Sequence, residues 1–446
     1  MTEPDDTVGS VDEFIITPSG FFFLRGWTDD FVDPSDRLRL NTDSIDVEFE
    51  SSAVRRYRRE DVEAHFNRPY DREYGFWVFD SFKRQTAAIR KCAVAVNSTQ
   101  WRLQPSSMGE AAMKGRVLGF LGNLLEGDSA RRALRDLNHG IGTHLITLNR
   151  SIPCDSSHVS AYHFDGGQRR VKRTLVIWLR NRAHFLSLQL ALLLKSKGLD
   201  ETEILYVNSN PDVCDVVQHE AKRSAYIYKL PITVIHTVRG VSETSARNIA
   251  AQYANSNRLL FLDPYIIPRD QNWLVVHDEF VKTEEGALFG ACLYAGDGSI
   301  AHAGSYFELD THVNPGFEPL HLIRIEHFGK AISDTPIGRP RVVPGVHRAF
   351  MSIDRKHFES LGGFDAGYMS ADYADADLCL RSSEVGQPAW CNEALRMWYL
   401  DISDRPPTEL GATFVNRWHF TNKWLSTVSY RNSEPIKCVI EAPSGR

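Results

Sequence analysis

The chain has 446 residues, of which 42% are hydrophobic and 24% charged, the balance of an ordinary soluble globular protein. This length exceeds that of one compact domain and predicts two or three. The formal net charge of -6 excludes a global basic field, so nucleic acid is not expected as the main partner.

No stretch of the sequence approaches the ~20 apolar residues that a membrane-spanning helix needs. The strongest apolar run, at residues 188–194, contains Gln189 and is followed by Lys195. The acidic N-terminus lacks the apolar core of a secretory signal, and the seven cysteines show no CxxC spacing. We therefore expect reduced thiols and a cytoplasmic location, and peripheral contact with a membrane stays open.

Residues 1–107 are predicted to form a β-rich accessory domain. Val47 and Phe49 alternate with acidic residues, the period-2 pattern of a half-buried strand, and residues 92–96 repeat this pattern. Several such short strands predict a small antiparallel β-sandwich without a catalytic cluster of His, Cys or carboxylates. Its aromatic residues are predicted mainly to pack in the core, with stacking on sugars as the alternative, and include Phe21, Phe22, Phe23, Trp27, Phe76 and Trp77.

Residues 108–171 are predicted to form a helical segment and a linker. Val117 and Leu121 belong to an apolar set at helical spacing, and Gly127 is a plausible break before a second short helix. Residues 139–171 are rich in Gly, Ser and His and have no clear period. We expect this stretch to be a linker or a docked irregular segment.

From residue 172 the pattern changes to alternating apolar strands and amphipathic helices. A continuous apolar run at 174–179 is typical of a strand that is covered on both faces. A helix at 186–194 and a strand at 204–207 complete a βαβ unit, the building block of a mostly parallel sheet. The alternation continues with a strand at 232–235, a helix at 246–253 and a strand at 259–262.

Polar side chains follow four of these strands, at the edge where open α/β sheets bind their ligands. They are Asn181, Asn208, Arg239 and Asp263. Because the carboxyl ends of parallel strands meet at one edge of a sheet, the sequence predicts a binding site there.

Five short segments follow one another between residues 172 and 402. They are Val176-Ile-Trp-Leu-Arg-Asn181; Gly240 with Ser245-Ala-Arg-Asn248; Leu260-Phe-Leu-Asp-Pro-Tyr-Ile-Ile-Pro268 with Trp273-Leu274; Asp297-Gly-Ser-Ile-Ala-His-Ala-Gly304; and Leu361-Gly-Gly-Phe-Asp365 with Ala374-Asp-Ala-Asp-Leu-Cys-Leu-Arg381. In this order they resemble the motifs of the family 2 glycosyltransferases. The resemblance implies an α/β GT-A fold over residues 172–402, with a Rossmann-like, mostly parallel sheet flanked by helices. Residues 403–446 are predicted to form a C-terminal helix and tail that pack on this domain.

The resemblance implies that Asp375 is the catalytic base of an inverting displacement and takes the proton of the acceptor hydroxyl. Burial in a closed site raises the pKa of a carboxyl toward neutrality and suits it to this role. The alternative is that Asp375 only caps the helix that begins there.

The acceptor side of the site is assigned, by the same resemblance, to His302, Gly362, Gly363 and Asp377. For His302, packing beneath the site is an equal alternative. The two glycines are expected at turns with positive φ or at close backbone contacts. Asp377 is expected to be the structural member, held by hydrogen bonds or by a cation such as Arg381.

The donor side is assigned to the strand ends. The expected ligand is a nucleotide sugar, with a UDP-sugar as the first candidate. The resemblance places Asn181, Asn208, Arg247, Asp263, Tyr265 and Arg348 there. Asn208 stands where the family commonly has an Asp that hydrogen-bonds the base, and an amide still offers a donor and acceptors for it. Arg247 either orients the donor or Asp263, or pins its own helix.

The metal-binding motif of the family is altered in this chain. The family's Asp-x-Asp, whose carboxylates hold Mg²⁺ or Mn²⁺ on the donor's phosphates, reads Asp263-Pro264-Tyr265. A neutral phenol is a poor ligand for a hard cation, Ala374 replaces a Glu, and residues 393–401 lack the family's His. Three alternatives stay open: basic side chains replace the metal, Asp263 alone still binds a weak Mg²⁺ or Mn²⁺, or transfer activity is lost. The candidate cations are Arg239, Arg341, His347 and Arg348.

We therefore expect an inverting, hexosyltransferase-type enzyme of the bacterial cytoplasm that acts in glycan or polysaccharide biosynthesis. Its donor would be a nucleotide sugar, and its acceptor a glycan, a lipid-linked molecule or a protein. The alternative is a catalytically inactive GT-A-fold protein that binds a glycan or a partner. A nucleotidyltransferase is disfavoured because no Gly-rich phosphate loop follows the first strand.

Overall fold

The structure is a computed structural model. It describes residues 9–29, 36–42, 46–50, 53–65, 72–82, 92–97, 99–125, 129–165, 171–180, 183–283, 288–310, 320–327, 340–400 and 406–433. The chain divides into two compact units, Met1–Ile152 with Pro406–Gly411, and Pro153–Arg405 with Ala412–Arg446.

The first unit consists of short strands followed by helices. Its elements are β1 (Gly9–Ile16), β2 (Phe21–Thr28), β3 (Arg37–Thr42), β4 (Asp46–Glu50), β5 (Arg55–Tyr57), α1 (Glu60–His65), β6 (Gly75–Ser81), β7 (Cys92–Val96), β8 (Thr99–Leu103), β9 (Ser106–Ser107), α2 (Glu110–Asn123), α3 (Ser129–Asp136) and α4 (Gly142–Ser151).

The strands of the first unit form two sheets around one apolar core. The sheets have the strand orders β5-β6-β2-β1-β9 and β4-β3-β7-β8. Leu40 of β3 and Val94 of β7 are fully buried in the same cluster as Phe22 of β2 and Phe76 of β6. The predicted β-sandwich-like architecture is therefore confirmed. The six aromatic residues singled out from the sequence are at most 6% exposed, which confirms the core-packing interpretation.

Helix α2 packs its predicted apolar face against the first sheet. Val117 and Leu121 are fully buried, and Phe120 makes edge-to-face contacts with Trp77 and Phe23, with ring centroids 5.2 and 5.6 Å apart. The stretch 139–171, expected to be irregular, contains helix α4 and a strand of the second unit. The expectation was wrong there because short segments bury only a few side chains, such as Leu145 in α4, and so show no clear period.

The second unit alternates strands and helices along most of its length. Its elements are β10 (Ser160–Phe164), β11 (Arg173–Trp178), α5 (Phe185–Leu193), β12 (Thr202–Asn208), α6 (Cys214–Tyr228), β13 (Ile232–His236), α7 (Glu243–Gln252), β14 (Arg258–Leu262), β15 (Ile266–Pro268), α8 (Trp273–Thr283), β16 (Leu288–Tyr294), β17 (Ile300–His302), β18 (Ser305–Leu309), β19 (Ile323–His327), β20 (Arg341–Val343), β21 (Phe350–Asp354), α9 (Arg355–Ser360), α10 (Ala374–Glu384), β22 (Ala389–Tyr399) and α11 (Pro407–Ser433), whose first residues belong to the first unit.

The main sheet of the second unit has the strand order β10-β13-β12-β11-β14-β21-β16-β22-β15. Strands β13, β12, β11 and β14 are parallel, whereas β10 and β21 flank this block in antiparallel pairs, so the sheet is mixed. Every residue of β12 is buried, and so are the first five residues of β11, where the continuous apolar run predicted a strand covered on both faces. Helices α5 and α6 share an apolar core with the sheet through Leu190 and Ala221. The α/β class is confirmed, and the ends of β11, β12 and β14 lie at one edge.

Helix α11 belongs to the second unit from Ala412 onward, and residues 434–446 of the predicted tail lie outside the described residues. The buried side chain of Asn416 accepts a hydrogen bond from the Met369 backbone N–H at 2.7 Å and donates to the Asp372 carbonyl at 2.9 Å. These bonds hold the loop that leads into α10. No helix in the described part of the chain is long and apolar enough to cross a membrane.

Replacement of Asn416 by Ala is expected to destabilise the second unit by about 2–4 kcal/mol, because it leaves a buried N–H and a buried C=O without partners. Urea unfolding measures this loss. Leu425→Ala, on the exposed face of the same helix (41% exposed), is the control and should change stability by no more than about 1 kcal/mol. Equal losses in both variants would contradict the role of Asn416.

Candidate active site

Asp263 lies directly after β14, at the carboxyl edge of the parallel strands, and is 1% exposed. Its Oδ1 accepts a hydrogen bond from the Tyr265 backbone N–H at 3.1 Å. Its Oδ2 lies 3.6 Å from Nη2 of Arg180 and 3.7 Å from Nη1 of Arg348. Burial raises the pKa of this carboxyl, and the two guanidinium groups oppose that rise. Asp263 is therefore a buried carboxylate between two arginines.

A second buried carboxylate, Glu243, belongs to the same charge cluster. Arg247 lies one turn further along α7, and its Nη2 is 2.6 Å from Oε1 of Glu243. Oε2 of Glu243 is 3.7 Å from Nη1 of Arg348 and 4.0 Å from Nη2 of Arg180. Sequence reasoning missed Glu243, although its i, i+4 spacing to Arg247 in the Gly…Ala-Arg-Asn segment was a signal.

Arg247 contacts the site through the backbone of Arg348 and the side chain of Glu243. Its side chain is fully buried, and Nη1 donates a hydrogen bond to the backbone carbonyl of Arg348 at 3.1 Å. These contacts join Arg247 to Arg348 and to Glu243 of its own helix, and neither of them is a contact with Asp263.

Arg348 connects the strand-end cluster to Asp375. Its Nε lies 2.8 Å from Oδ1 of Asp372, and its backbone N–H donates to Oδ2 of Asp375 at 2.8 Å. With Nη1 near both Asp263 and Glu243, one residue contacts four carboxylates. Asp372 was missed by sequence reasoning, and it stands only three residues before Asp375 in the same acidic segment.

Asp375 lies in the first turn of α10 and is 6% exposed. Oδ1 accepts from the Ala376 N–H at 2.8 Å, and burial raises the pKa of the carboxyl to about 6. The N-cap position of α10 belongs to Tyr373, at φ +66°, so the capping alternative for Asp375 does not apply. Asp375 is instead oriented by two backbone N–H groups, with its basicity raised by desolvation.

Asp375 lines a pocket with a cavity volume of about 200 Å³. Its other lining residues are Ser305, Ile325, His327, Gly345, Val346, His347, Asp372, Tyr373, Ala376 and Thr413. Pockets for drug-sized ligands are larger, roughly 300–1,000 Å³. The pocket therefore suits a group of the size of a single sugar ring or smaller.

His302 packs behind this pocket, against two of its lining histidines. Its Nδ1 lies 3.1 Å from Nδ1 of His327, and its ring centroid lies 5.3 Å from that of His347. Burial lowers the pKa of His302 well below its usual value, so the imidazole is neutral. These contacts match the alternative in which His302 packs beneath the site.

Gly362 and Gly363 form a turn before α10 with φ +78° and +70°. A Cβ on Gly363 would lie 2.7 Å from Oδ1 of Asn248, so the Asn248 side chain would have to move. Asn248 in turn donates to the Phe364 carbonyl at 2.7 Å and accepts from the Phe364 N–H at 2.8 Å. The glycines therefore shape the backbone, as expected for positive φ.

Asp377 is fully buried and faces the C-terminal helix. It accepts hydrogen bonds from Arg381 Nε at 2.8 Å and from Trp424 Nε1 at 2.9 Å, and Lys423 Nζ lies 2.6 Å away. It does not line the pocket around Asp375. The contacts with Trp424 and Lys423 anchor α11 to α10, whereas Arg381 belongs to α10 itself.

The other predicted donor-side residues have different surroundings. The buried amide of Asn208 donates to the Asn210 carbonyl at 2.9 Å and contacts His236 Nδ1 at 3.0 Å. Tyr265 is 4% exposed and packs edge-on against Phe185. Asn181 lies outside the described residues. The amide of Asn208 and the ring of Tyr265 are therefore engaged within the protein.

The candidate cations are dispersed rather than gathered on one surface. Arg239 is largely exposed and pairs with Asp212, whereas Arg341 contacts the Ala303 carbonyl and Glu393. Arg348 lies in the centre of the site, and His347 lines the pocket. Arg180, which sequence reasoning missed, lies beside Asp263, and its place two residues after the end of β11 was the signal.

The residues around Asp263 do not fit a divalent cation. Among the described residues, no three His, Cys, Asp or Glu side chains are placed to hold a metal ion. A hard cation needs several oxygen ligands at about 2.0–2.6 Å. Here Oδ2 of Asp263 faces the positive charges of Arg180 and Arg348.

No protein-family model matches the sequence, and no curated protein matches it significantly. Among solved structures, the chain is similar to GalNAc-T7 with UDP, GalNAc and Mn²⁺ (15% identity, 60% of this chain and 52% of that chain, TM-score 0.46). It is also similar to the mannosyltransferase PcManGT from Pyrobaculum calidifontis in complex with GDP-Man and Mn²⁺ (11%, 71% and 88%, TM-score 0.37) and to S. aureus TarS (13%, 52% and 37%, TM-score 0.35). The chain thus spans about half the length of GalNAc-T7. Similarity at this level does not identify a substrate or a reaction.

Asp375→Asn is expected to change how the stability of the protein depends on pH. The pKa of Asp375 is raised from 3.8 to about 6, so its stabilising contribution is complete below pH 3.8 and is lost as the pH rises through 6. At about 1.4 kcal/mol per pKa unit, the ionised carboxylate costs roughly 3 kcal/mol at neutral pH. Because the amide does not ionise, wild type should lose about 1–2 kcal/mol relative to the variant between roughly pH 5 and pH 7.5.

Urea unfolding at the two pH values measures this difference. Asp270→Asn, which removes an exposed turn carboxylate, is the control and should track the wild type. A difference between wild type and Asp375→Asn that stays constant with pH would show that Asp375 does not titrate near neutrality.

Proposed function

We propose that the second unit is a glycosyltransferase of the GT-A type, related to family 2, that inverts the anomeric carbon of a nucleotide sugar. The observation that carries this proposal is the position of Asp375. It is buried, lines a pocket, and is joined through Arg348 to the carboxylate at the strand edge. A base next to a pocket and a charge cluster at the strand ends are the two parts that such a transfer needs.

Asp375 acts as the general base in this proposal. Its pKa of about 6 leaves the carboxylate ionised at neutral pH and basic enough to accept the proton of an acceptor hydroxyl. The hydrogen bonds from the N–H groups of Ala376 and Arg348 hold it in place. As the proton moves to Asp375, the acceptor oxygen bonds to the anomeric carbon, and the bond from that carbon to the diphosphate breaks.

The donor binds at the carboxyl ends of β11, β12 and β14 in this proposal, with a UDP-sugar as the first candidate. The leaving diphosphate carries negative charge that preorganised cations stabilise. Arg180, which lies beside Asp263 and is 22% exposed, supports this role. The acceptor, a glycan, a lipid-linked molecule or a protein, presents its hydroxyl through the pocket around Asp375.

The cysteines of the described residues are free thiols, which supports a reducing compartment such as the cytoplasm.

A second candidate function is that of a catalytically inactive protein that binds a glycan or a partner. The observations that favour it are the losses in the family's motifs, with Tyr265 buried against Phe185 and Ala374 fully buried. This candidate keeps the pocket but needs no titrating base. The two candidates therefore differ in what they require of Asp375.

Incubation with a panel of nucleotide sugars and glycan acceptors is expected to release nucleoside diphosphate with at least one donor. Asp375→Asn should lower kcat/KM about 10²- to 10⁴-fold, because the acceptor loses its general base. In the wild type, kcat/KM should fall about tenfold per pH unit below pH 6.

Asp270→Asn is the matched control and should keep wild-type activity, because its carboxylate lies in an exposed turn. Turnover that is equal in wild type and Asp375→Asn would contradict the assigned base. No turnover with any donor, together with glycan binding that survives Asp375→Asn, would favour the inactive binding protein.

A further inference from the structure

We infer that Arg180 and Arg348 supply the positive charge that a divalent cation would bring to Asp263, so that the donor diphosphate binds without metal and contacts Arg180. This inference rests on the proposed function, because it concerns the donor of the same site. It is carried by the contacts around Asp263.

Both oxygens of the Asp263 carboxylate have partners within the protein. Oδ1 accepts the Tyr265 N–H, and Oδ2 lies within 3.7 Å of both Arg180 and Arg348. A metal ion bound to Oδ2 would have to lie near two positive charges. Tyr265 adds no carboxylate that would offset this repulsion, since a phenol is neutral at physiological pH.

The charged side chains around Asp263 compensate one another. The guanidinium groups of Arg180, Arg247 and Arg348 contact the carboxylates of Glu243, Asp263 and Asp372. The formal charges of these six side chains cancel. Asp263 and Glu243, at most 1% exposed, are therefore compensated by arginines within the protein, and a metal is not needed to make their burial tolerable.

Arg180 is the most exposed of the three arginines in this cluster. The side chains of Arg247 and Arg348 are 0% and 4% exposed, whereas that of Arg180 is 22% exposed. Arg180 lies two residues after the end of β11 and over the ring of Trp178, at 5.7 Å from its centroid. Its position at the strand edge is where ligands of such sheets bind.

The backbone at Arg180 supports the same assignment. Its φ is +51°, in the left-handed region that residues other than Gly, Asn and Asp rarely adopt. Such conformations cluster at ligand-binding sites, where they aim a side chain that a regular backbone would point elsewhere. A guanidinium group also matches the chemistry, because its planar fork binds two phosphate oxygens at once.

Isothermal titration calorimetry of the full chain with UDP and with GDP tests this inference, in EDTA and again in excess MnCl₂. The dissociation constant of the better ligand should agree within about threefold between the two conditions, since the metal adds no contact. Arg180→Met should weaken binding about 10- to 100-fold in both. Arg180→Lys, which keeps the charge but loses the fork, should fall between wild type and Arg180→Met.

Arg223→Met is the matched control, because Arg223 pairs with Glu220 on the surface of α6, and its binding should equal that of the wild type. Circular dichroism checks that each variant is folded. If Arg180→Met does not fold, Arg180→Lys alone tests the role of Arg180. Binding that requires Mn²⁺ would overturn the inference and leave the proposed function standing. Metal-free binding that is unchanged in both Arg180 variants would overturn the role of Arg180. No binding of either nucleotide in either condition would overturn the inference and the proposed function together.

Discussion

The site depends on the placement of Arg348, a nearly fully buried cation that contacts several carboxylates. Its guanidinium group lies near Asp263, Glu243 and Asp372, and its backbone N–H orients Asp375. A buried charge is tolerated only when it is paired, so removing this arginine would weaken the compensation of several carboxylates at once. The geometry of the strand edge and that of the pocket are therefore coupled through one residue.

Two buried carboxylates meet different environments on the two sides of Arg348. Asp263 faces guanidinium groups, which oppose the rise in its pKa that burial causes, whereas Asp375 is held mainly by backbone N–H groups, and its pKa rises to about 6. A carboxylate compensated by arginines suits a structural and electrostatic role. One whose pKa lies near neutrality suits proton transfer, so environment assigns the roles.

Much of the fold was predictable because its strands are covered on both faces. The apolar runs at 174–179 and 204–207 became β11 and β12, and the polar residues after strands marked the site edge. The order of the motifs singled out Asp263 and Asp375. Prediction failed at short elements such as α4 and β10, whose stability comes from tertiary contacts rather than from a periodic pattern of their own.

The sequence by itself determined the α/β class, the β-rich first unit and the carboxylates around which the site is built, because burial imposes an apolar pattern that local sequence shows. Tertiary structure alone decided that Arg180 and Glu243 join Asp263, and that Trp424 of the C-terminal helix is a partner of Asp377. The physical reason is that an ion pair between distant residues leaves no periodic trace in the chain. Which carboxylate is compensated by arginines, and which is oriented by backbone N–H groups, depends on neighbours that only folding brings together.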